Sequence, residues 1–424
     1  MLILVIGQGA REHAIVASLL KDSNVTVVCA PGNPGIAQLA KTIPVNATDG
    51  KAVVALAKEV QADLVVIGPE APLVAGVADD LRANGFAVFG PSSAAAQLEG
   101  SKAFAKEVMR AANVPTAEAF LCVTVEEAQV ALDKFGAPYV VKDDGLAAGK
   151  GVVVTNDRNE ALAHAMSCID SRDGGAVVIE EYLAGPEVSL FGISDGKNIV
   201  PLSPAQDFKR VGDHDTGPNT GGMGAYTPLP WAPKDLIQEV QRNVLQPMIN
   251  EMANRGTPFV GLLYAGLALT ARGIKVIEFN ARFGDPETQV VLARLSSPLS
   301  QLLMAAATGK LEDFPELNWK SESAVTVVMA AQGYPESPVI GAQISGIKDA
   351  TGLGASVYHA GTSIDHTGTL VVHGGRVLSV TAIGQDLGDA RRRAYAAVET
   401  IKFVGEHHRT DIALAAAQGE IKVP

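Results

Sequence analysis

Hydrophobic positions in this 424-residue chain follow two rhythms. Residues 2–6 (LILVI), 25–29, 64–67 and 86–89 are short, nearly unbroken apolar runs, as expected of strands buried on both faces, and the segments between them carry apolar residues at helical spacing. The alternation predicts a parallel α/β domain of about 100 residues. Further along, residues 138–142 and 152–154 read as strands flanking a glycine-rich turn, residues 176–179 as another buried strand, and residues 264–270 and 275–282 as a hairpin around Ala271-Arg272-Gly273. From about Ser323 the pattern changes to short strands at 325–330, 370–373 and 376–382 and a helix over 386–401, a compact α+β unit. So long a chain exceeds one ordinary core, and about two to four domains are expected.

Composition narrows the function classes. With 47% apolar and 19% charged residues the chain is globular, and no apolar run approaches the roughly 18 residues that span a bilayer, which sets a membrane role aside. The apolar start lacks a basic flank and runs into a glycine turn, so it reads as a first strand and not an export signal. Cys29, Cys122 and Cys168 lie far apart with no CxxC pair, so neither a disulfide framework nor a zinc knuckle is expected and a reducing cytoplasm fits. A formal charge of -12 opposes nucleic acid as a partner, yet leaves room for a small anion held by a few convergent cations.

Gly7-Gln8-Gly9-Ala10-Arg11-Glu12-His13 follows the first strand and invites a dinucleotide reading. Two features oppose it: Glu12 stands where a third small residue should allow close helix packing, and the second strand runs into Ala30-Pro31-Gly32-Asn33 without the acid that holds a ribose diol. The turn either offers its amides to a phosphate or is purely structural. Arg11 either binds phosphate or pairs across the sheet edge, and His13 reads as a structural hydrogen-bonding residue. Glu70, in Gly68-Pro69-Glu70-Ala71-Pro72, stands at the C-terminal end of a strand, where open α/β sheets bind ligands; alternatively it caps the next helix.

Lys142 ends a strand and is followed by Asp143-Asp144-Gly145-Leu146-Ala147-Ala148-Gly149-Lys150-Gly151, a hairpin able to fold over polyphosphate. It is not a Walker A loop: three residues, not four, separate Gly145 from Gly149, no hydroxyl follows Lys150, and strands flank it where a helix should follow. Glu180, Glu181 and, beyond Gly185-Pro186, Glu187 come just after a buried strand and could receive adenine and ribose at a hinge. In the later hairpin, strand alternation puts Glu278, Asn280 and Arg282 on one face and Ile277, Phe279 and Ala281 on the other. Glu278 and Asn280 offer hard oxygens to Mg²⁺, and Arg282 can neutralise a phosphoryl group or clamp a carboxylate. A solvated edge strand is the bland alternative. The segment Gln206-Asp207-Phe208-Lys209-Arg210 through Thr220-Gly221-Gly222-Met223 is polar and glycine-dense; it either wraps a small polar ligand or is a plain surface loop.

Taken in order, GQGAREHA from Gly7, GPEAPL from Gly68, GSKAF from Gly100, DGLAAGKGV from Asp144, DTGPNTGGMGAY from Asp215 and EFNARFGDPETQ from Glu278 resemble the ATP-grasp superfamily and, within it, the phosphoribosylamine-glycine ligases of purine synthesis. The resemblance covers nearly the whole chain. It implies an α/β and α+β multidomain ATP-grasp fold: an N-terminal substrate domain over 1–101, a linker and start of the core over 102–120, a small mobile lid over 121–187, the central core with the metal strand over 188–322, and an α+β domain over 323–424. It also implies ATP as co-substrate with Mg²⁺ or Mn²⁺, glycine and 5-phosphoribosylamine as substrates, and a glycyl phosphate intermediate. The residues carried over are Glu278 and Asn280 for metal; Lys102, Lys142, Gly145, Gly149, Lys150, Glu180, Glu181 and Glu187 for ATP; and Gly9, Arg11, Glu70, Asp207, Lys209, Arg210, Gly221, Gly222 and Arg282 for substrate, with Arg282, Asp207 and Lys150 taking part in catalysis. A monomer is expected, with transient contact to neighbouring pathway enzymes. Asp143, Phe208, Pro186 and Ala281 depart from the family pattern, and none removes a metal ligand.

Overall fold

The computed structural model describes residues 1–145, 151–171 and 175–424. Gly149 and Lys150 lie outside the described residues. The N-terminal unit is a parallel sheet in the order Lys41–Thr42, Thr26–Pro31, Leu2–Gly7, Leu64–Ile67, Ala87–Phe89. Ile3 and Val5 join one apolar cluster with Ile15, Val16 and Leu19 of helix Ala10–Leu19; Leu4 and Ile6 join another with Val53 and Ala57 of helix Gly50–Val60. Both sheet faces are therefore covered, which is why these strands carry no polar face. The chain leaves the central strand to one side for Thr26–Pro31 and to the other for Leu64–Ile67, so the crevice at their C-terminal ends opens between Gly7 and Gly68.

A four-stranded antiparallel sheet, in the order Ala119–Cys122, Val177–Glu180, Tyr139–Asp143, Val152–Thr155, packs with helices Val125–Phe135 and Arg158–Asp170 around a small core of its own that includes Leu132, Val141 and Ile179. The central sheet runs Ile199–Pro201, Glu187–Asp195, Val260–Thr270, Gly273–Asn280.

The C-terminal sheet crosses the sequence units. Its order is Gln206–Asp207, Gly224–Thr227, Ser323–Ala330, Arg376–Gly384, Ser356–His359, so the polar glycine-dense segment runs between the edge strand Gln206–Asp207 and the strand beside it, Gly224–Thr227. Residues 386–401 were expected to be helical, and the helix is Leu387–Val398, with Asp386 accepting from the Asp389 N–H at 2.8 Å. Among the described residues no helix is long and apolar enough to cross a membrane.

Candidate active site

The hairpin Val260–Thr270 and Gly273–Asn280 forms as its alternation predicts, with one irregularity. Gly266 faces Glu278 but Leu267 faces Val276, so Ile277 is an extra residue in the second strand. The bulge moves Val276 (0% exposed) onto the packed side with Phe279 and Ala281, while Ile277 is only partly buried. Glu278 and Asn280 keep a common side. Arg282 lies beyond the strand end, where Phe283 anchors the turn between Phe89 and Phe191, with ring centroids 6.0 and 6.1 Å away.

The carbonyl exposed at the bulge is used. Lys142 Nζ donates to the Ile277 carbonyl at 3.1 Å and pairs with the Glu180 carboxylate, whose other oxygen is 2.7 Å from Lys106 Nζ. Lys142 and Glu180 are both buried. Glu180 was expected just after its strand; it is the last residue of it, facing Val140 and Ala119. Lys102, in the first turn of helix Lys102–Ala111, donates to the Gly145 carbonyl at 3.0 Å. Burial holds Lys102 below the ordinary lysine range, with Glu278 opposing the shift. For Glu278 the balance is reversed: burial pushes its carboxyl up, but Lys209, Lys142, Lys102 and Arg282 together hold it below its usual value. Glu278 is thus ionised and surrounded by cations. Neither it nor Asn280 has a side-chain partner among the described residues.

Asp207 and Lys209 open the polar segment on this same side. Burial raises the Asp207 carboxyl above the usual range, Glu287, Glu187 and Glu278 reinforce the rise, and Lys209 opposes it. Lys209 pairs with Glu187, the first residue of the strand Glu187–Asp195. Buried Glu287 accepts from Ser189 Oγ at 3.0 Å, and that hydroxyl also lies 2.9 Å from the Tyr264 hydroxyl.

A second charged group faces the N-terminal crevice. Arg282 Nε is 3.3 Å from Glu70 and its Nη2 3.1 Å from Glu99, while Glu99 also accepts the Ala281 N–H at 2.7 Å. Arg11 pairs with Glu12 at 2.5 Å, donates to the Phe283 carbonyl at 3.1 Å and lies 3.9 Å from Glu70. Glu12 explains the departure from the dinucleotide pattern. Its carboxylate accepts the Gly9 N–H at 2.6 Å, and its side chain fills the space between Gly7 and Gly68, where a Cβ would come within 2.3 Å of Glu12 Cγ and 2.2 Å of Glu12 Oε1 respectively. The glycine turn therefore already holds an anion, one belonging to the chain.

The remaining expected residues are spread more widely. Glu181 pairs with Arg272 at 2.6 Å and Lys275 at 2.8 Å; burial pushes its carboxyl up, and these partners and the Glu118 N–H outweigh that to hold it at about 2. Arg210 donates to the Gly217 carbonyl at 2.8 Å and lines a cavity of about 290 Å³ with Val152, Glu160, Asn219 and Glu336, which does not include Glu278. Gly221 is held by Arg376, which donates to its carbonyl at 2.5 Å and to the Asp285 carbonyl at 2.7 Å, and Gly222 is held by Thr220, to which its N–H donates at 3.0 Å. Sequence reasoning missed Lys106, Glu99 and Arg376. Lys106 and Glu99 sit on ordinary helical segments, and Arg376 starts a strand of another domain; each acquires its partner only through the tertiary fold.

Comparison with solved structures places this arrangement in a class. The biotin carboxylase domain of Hydrogenobacter thermophilus 2-oxoglutarate carboxylase superposes with a TM-score of 0.72 at 18% identity, covering 96% of this chain and 91% of that one. The shared architecture is the ATP-grasp fold.

Family membership is sharper. The chain matches the phosphoribosylglycinamide synthetase N domain over residues 1–99, the ATP-grasp (A) domain over 100–288 and the C domain over 324–415, and it belongs to that family. It is 61% identical to the phosphoribosylamine–glycine ligase of Streptomyces coelicolor over 98% of this chain and 100% of that protein, and 54% identical to that of Mycobacterium leprae over the full length of both. The crystal structure of the Thermotoga maritima ligase superposes with a TM-score of 0.84 at 33% identity, covering 97% of this chain and all of that one.

Proposed function

We propose that this chain joins glycine to 5-phosphoribosylamine with ATP, through glycyl phosphate, giving glycinamide ribonucleotide, ADP and phosphate in purine synthesis. The substrates follow from its relatives. The observation that carries the chemistry is the pair of uncommitted hard oxygens on Glu278 and Asn280, set side by side among Lys102, Lys142 and Lys209. Among the described residues no group of three or more His, Cys, Asp or Glu side chains could hold a metal alone. Two protein oxygens suit Mg²⁺ or Mn²⁺, which take their remaining oxygens from water and ATP phosphates. Bound there, the metal would neutralise phosphate charge during transfer.

The chain's own residues align the reactants. Lys102 and Lys142, with Gly145, Gly149 and Lys150 of the hairpin, hold the polyphosphate, and Glu180, Glu181 and Glu187 line the adenosine end. Lys209 offers its ammonium to the glycine carboxylate, and Asp207, its carboxyl raised to about 8 chiefly by burial, offers the amine end a hydrogen-bonding partner. A glycine carboxylate oxygen bonds to the γ-phosphorus as the bond to ADP breaks; the amine nitrogen then bonds to the acyl carbon, phosphate departs and the nitrogen loses a proton. Arg282 would neutralise the departing phosphate, and Arg11, Glu70, Arg210, Gly221 and Gly222 are the candidates to meet the ribose phosphate, whereas the Gly9 N–H is already taken by Glu12 at 2.6 Å. Alignment and charge neutralisation supply the rate, with no acid/base pair required. The unit over 121–187, with its own core, closes as a lid that keeps water from the acyl phosphate. The protein acts in the cytoplasm as a monomer in brief contact with neighbouring pathway enzymes. Incubation with ATP, Mg²⁺, ¹³C-glycine and phosphoribosylamine generated in situ should yield labelled glycinamide ribonucleotide by mass spectrometry; its absence overturns the assignment.

A further inference from the structure

Residues 208–223 contribute few buried side chains of their own, and the backbone is left-handed at His214 and Asp215, so no regular ladder can hold the segment throughout. The hold comes from the far end of the chain. Arg409 is 1% exposed, the bulkiest side chain so deeply buried among the described residues. Its Nη1 donates to Asp215 Oδ1 at 2.7 Å and to the Arg210 carbonyl at 3.1 Å, while Nε and Nη2 each donate to Asp411 at 2.7 Å. The guanidinium lies over the Phe208 ring, 4.8 Å from its centroid. Its neighbours extend the contact: the Thr410 N–H donates to Asp213 at 2.7 Å, the His214 N–H to Asp411 at 2.8 Å, and the His407 ring lies 2.8 Å from the Val211 carbonyl.

A buried guanidinium with its fork filled fixes direction as well as distance, which a lysine at the same place would not. Phe208 stands between Asp207 and Lys209, and Arg210 follows them. We propose that Arg409 is a positioning residue for the ligation: by clamping the Phe208 ring and the Arg210 carbonyl it sets Asp207 and Lys209 toward Glu278. This rests on the reading of the polar segment as substrate-binding. It gives Phe208, a departure from the family pattern, a purpose as the flat surface on which the guanidinium lies.

The test uses steady-state kinetics on the full-length enzyme, with glycine and ATP varied separately. Arg409→Met should lower kcat/KM for glycine about tenfold or more while the KM for ATP stays within about twofold, as expected for misplacement at one substrate only. Arg409→Lys should recover part of the loss. Asp215→Ala, which removes only an exposed acceptor, should shift glycine kinetics in the same direction by less. Arg391→Met is the control: Arg391 donates to the Thr410 and Ile412 carbonyls in the same tail and, among the described residues, makes no hydrogen bond or ion pair with residues 208–219. It should lower the thermal midpoint without the glycine-specific effect. If Arg409→Met does not fold, the Lys and Asp215 variants decide. An active wild type with unchanged glycine kinetics in these variants, or an equal glycine-specific loss in Arg391→Met, overturns the inference alone. A wild type that forms no glycinamide ribonucleotide overturns the ligase reading beneath it.

Discussion

Glu99 offers the sharpest separation of stability from catalysis. Its carboxylate makes two kinds of contact: one oxygen accepts the Ala281 N–H at 2.7 Å and the other faces Arg282 at 3.1 Å. Burial raises the Glu99 carboxyl, and Arg282 recovers only part of that, while burial lowers Arg282 and Glu99 and Glu70 more than reverse it. The two partners' shifts oppose each other in energy, as expected for a buried pair whose desolvation nearly balances its attraction. With its pKa raised in the folded state, Glu99 favours the protonated form, so its ionisation removes stability as pH rises from the ordinary 4.5 through the folded value. Glu99→Gln keeps an acceptor for Ala281 and removes the charge, and Arg282 retains Glu70 at 3.3 Å; at neutral pH it should change stability by no more than about 1 kcal/mol. Glu99→Ala also leaves a buried N–H without its acceptor, and should cost about 1–3 kcal/mol more. Both should lose turnover on the order of tenfold, because Arg282 is no longer held from two sides. Urea unfolding with matched slopes reads the first quantity and kcat the second. Equal stability loss in the two variants, or a Gln variant with full turnover, would refute the reasoning.

Three further outcomes follow from the site and its supports. Glu278→Ala should lose at least about a hundredfold in turnover and chelation of divalent metal should abolish it, whereas exposed His373→Ala should be near wild type; equal effects of the two substitutions would undermine the metal-strand argument. Lys142→Met should raise the KM for ATP about tenfold, yet cost less than the roughly 3–5 kcal/mol of a broken buried pair, because Glu180 keeps Lys106 at 2.7 Å; urea titration beside ATP kinetics checks both. Burial and the nearby His359 lower His13 from 6.5 to about 3, and burial lowers His359 from 6.5 to about 4, where the His359 N–H donates to His13 Nδ1 at 2.9 Å between the first helix and the C-terminal domain. The unfolded chain binds protons first, so stability should be complete above about pH 6.5 and fall as pH drops toward 4; a thermal midpoint flat across that window would contradict the buried neutral pair.

Much of the architecture is legible because period and burial agree. Residues 64–67 form the strand their apolar run predicts, and the hairpin turn at Ala271-Arg272 falls where the polar break stands. The objection to a dinucleotide site is equally physical: a bulky Glu12 cannot stand where glycine is needed, and it turns out to occupy the cradle itself. What escaped the sequence is what depends on register and long range. The extra residue at Ile277 shifts Val276 into the core without any local signal, since Val276 and Ile277 are both apolar. Glu99 meets Ala281 across 182 residues, Arg376 meets Gly221 across 155, and Arg409 meets Asp215 across 194.

Glycine dependence of ADP release is the most direct test of the central claim. The full-length chain, ATP and Mg²⁺ are incubated with phosphoribosylamine generated in situ, with and without glycine, and ADP and glycinamide ribonucleotide are counted together. The account predicts negligible ADP without glycine and one ADP for each amide formed with it. ADP release indifferent to glycine, or glycine-dependent ADP without the amide, would contradict it.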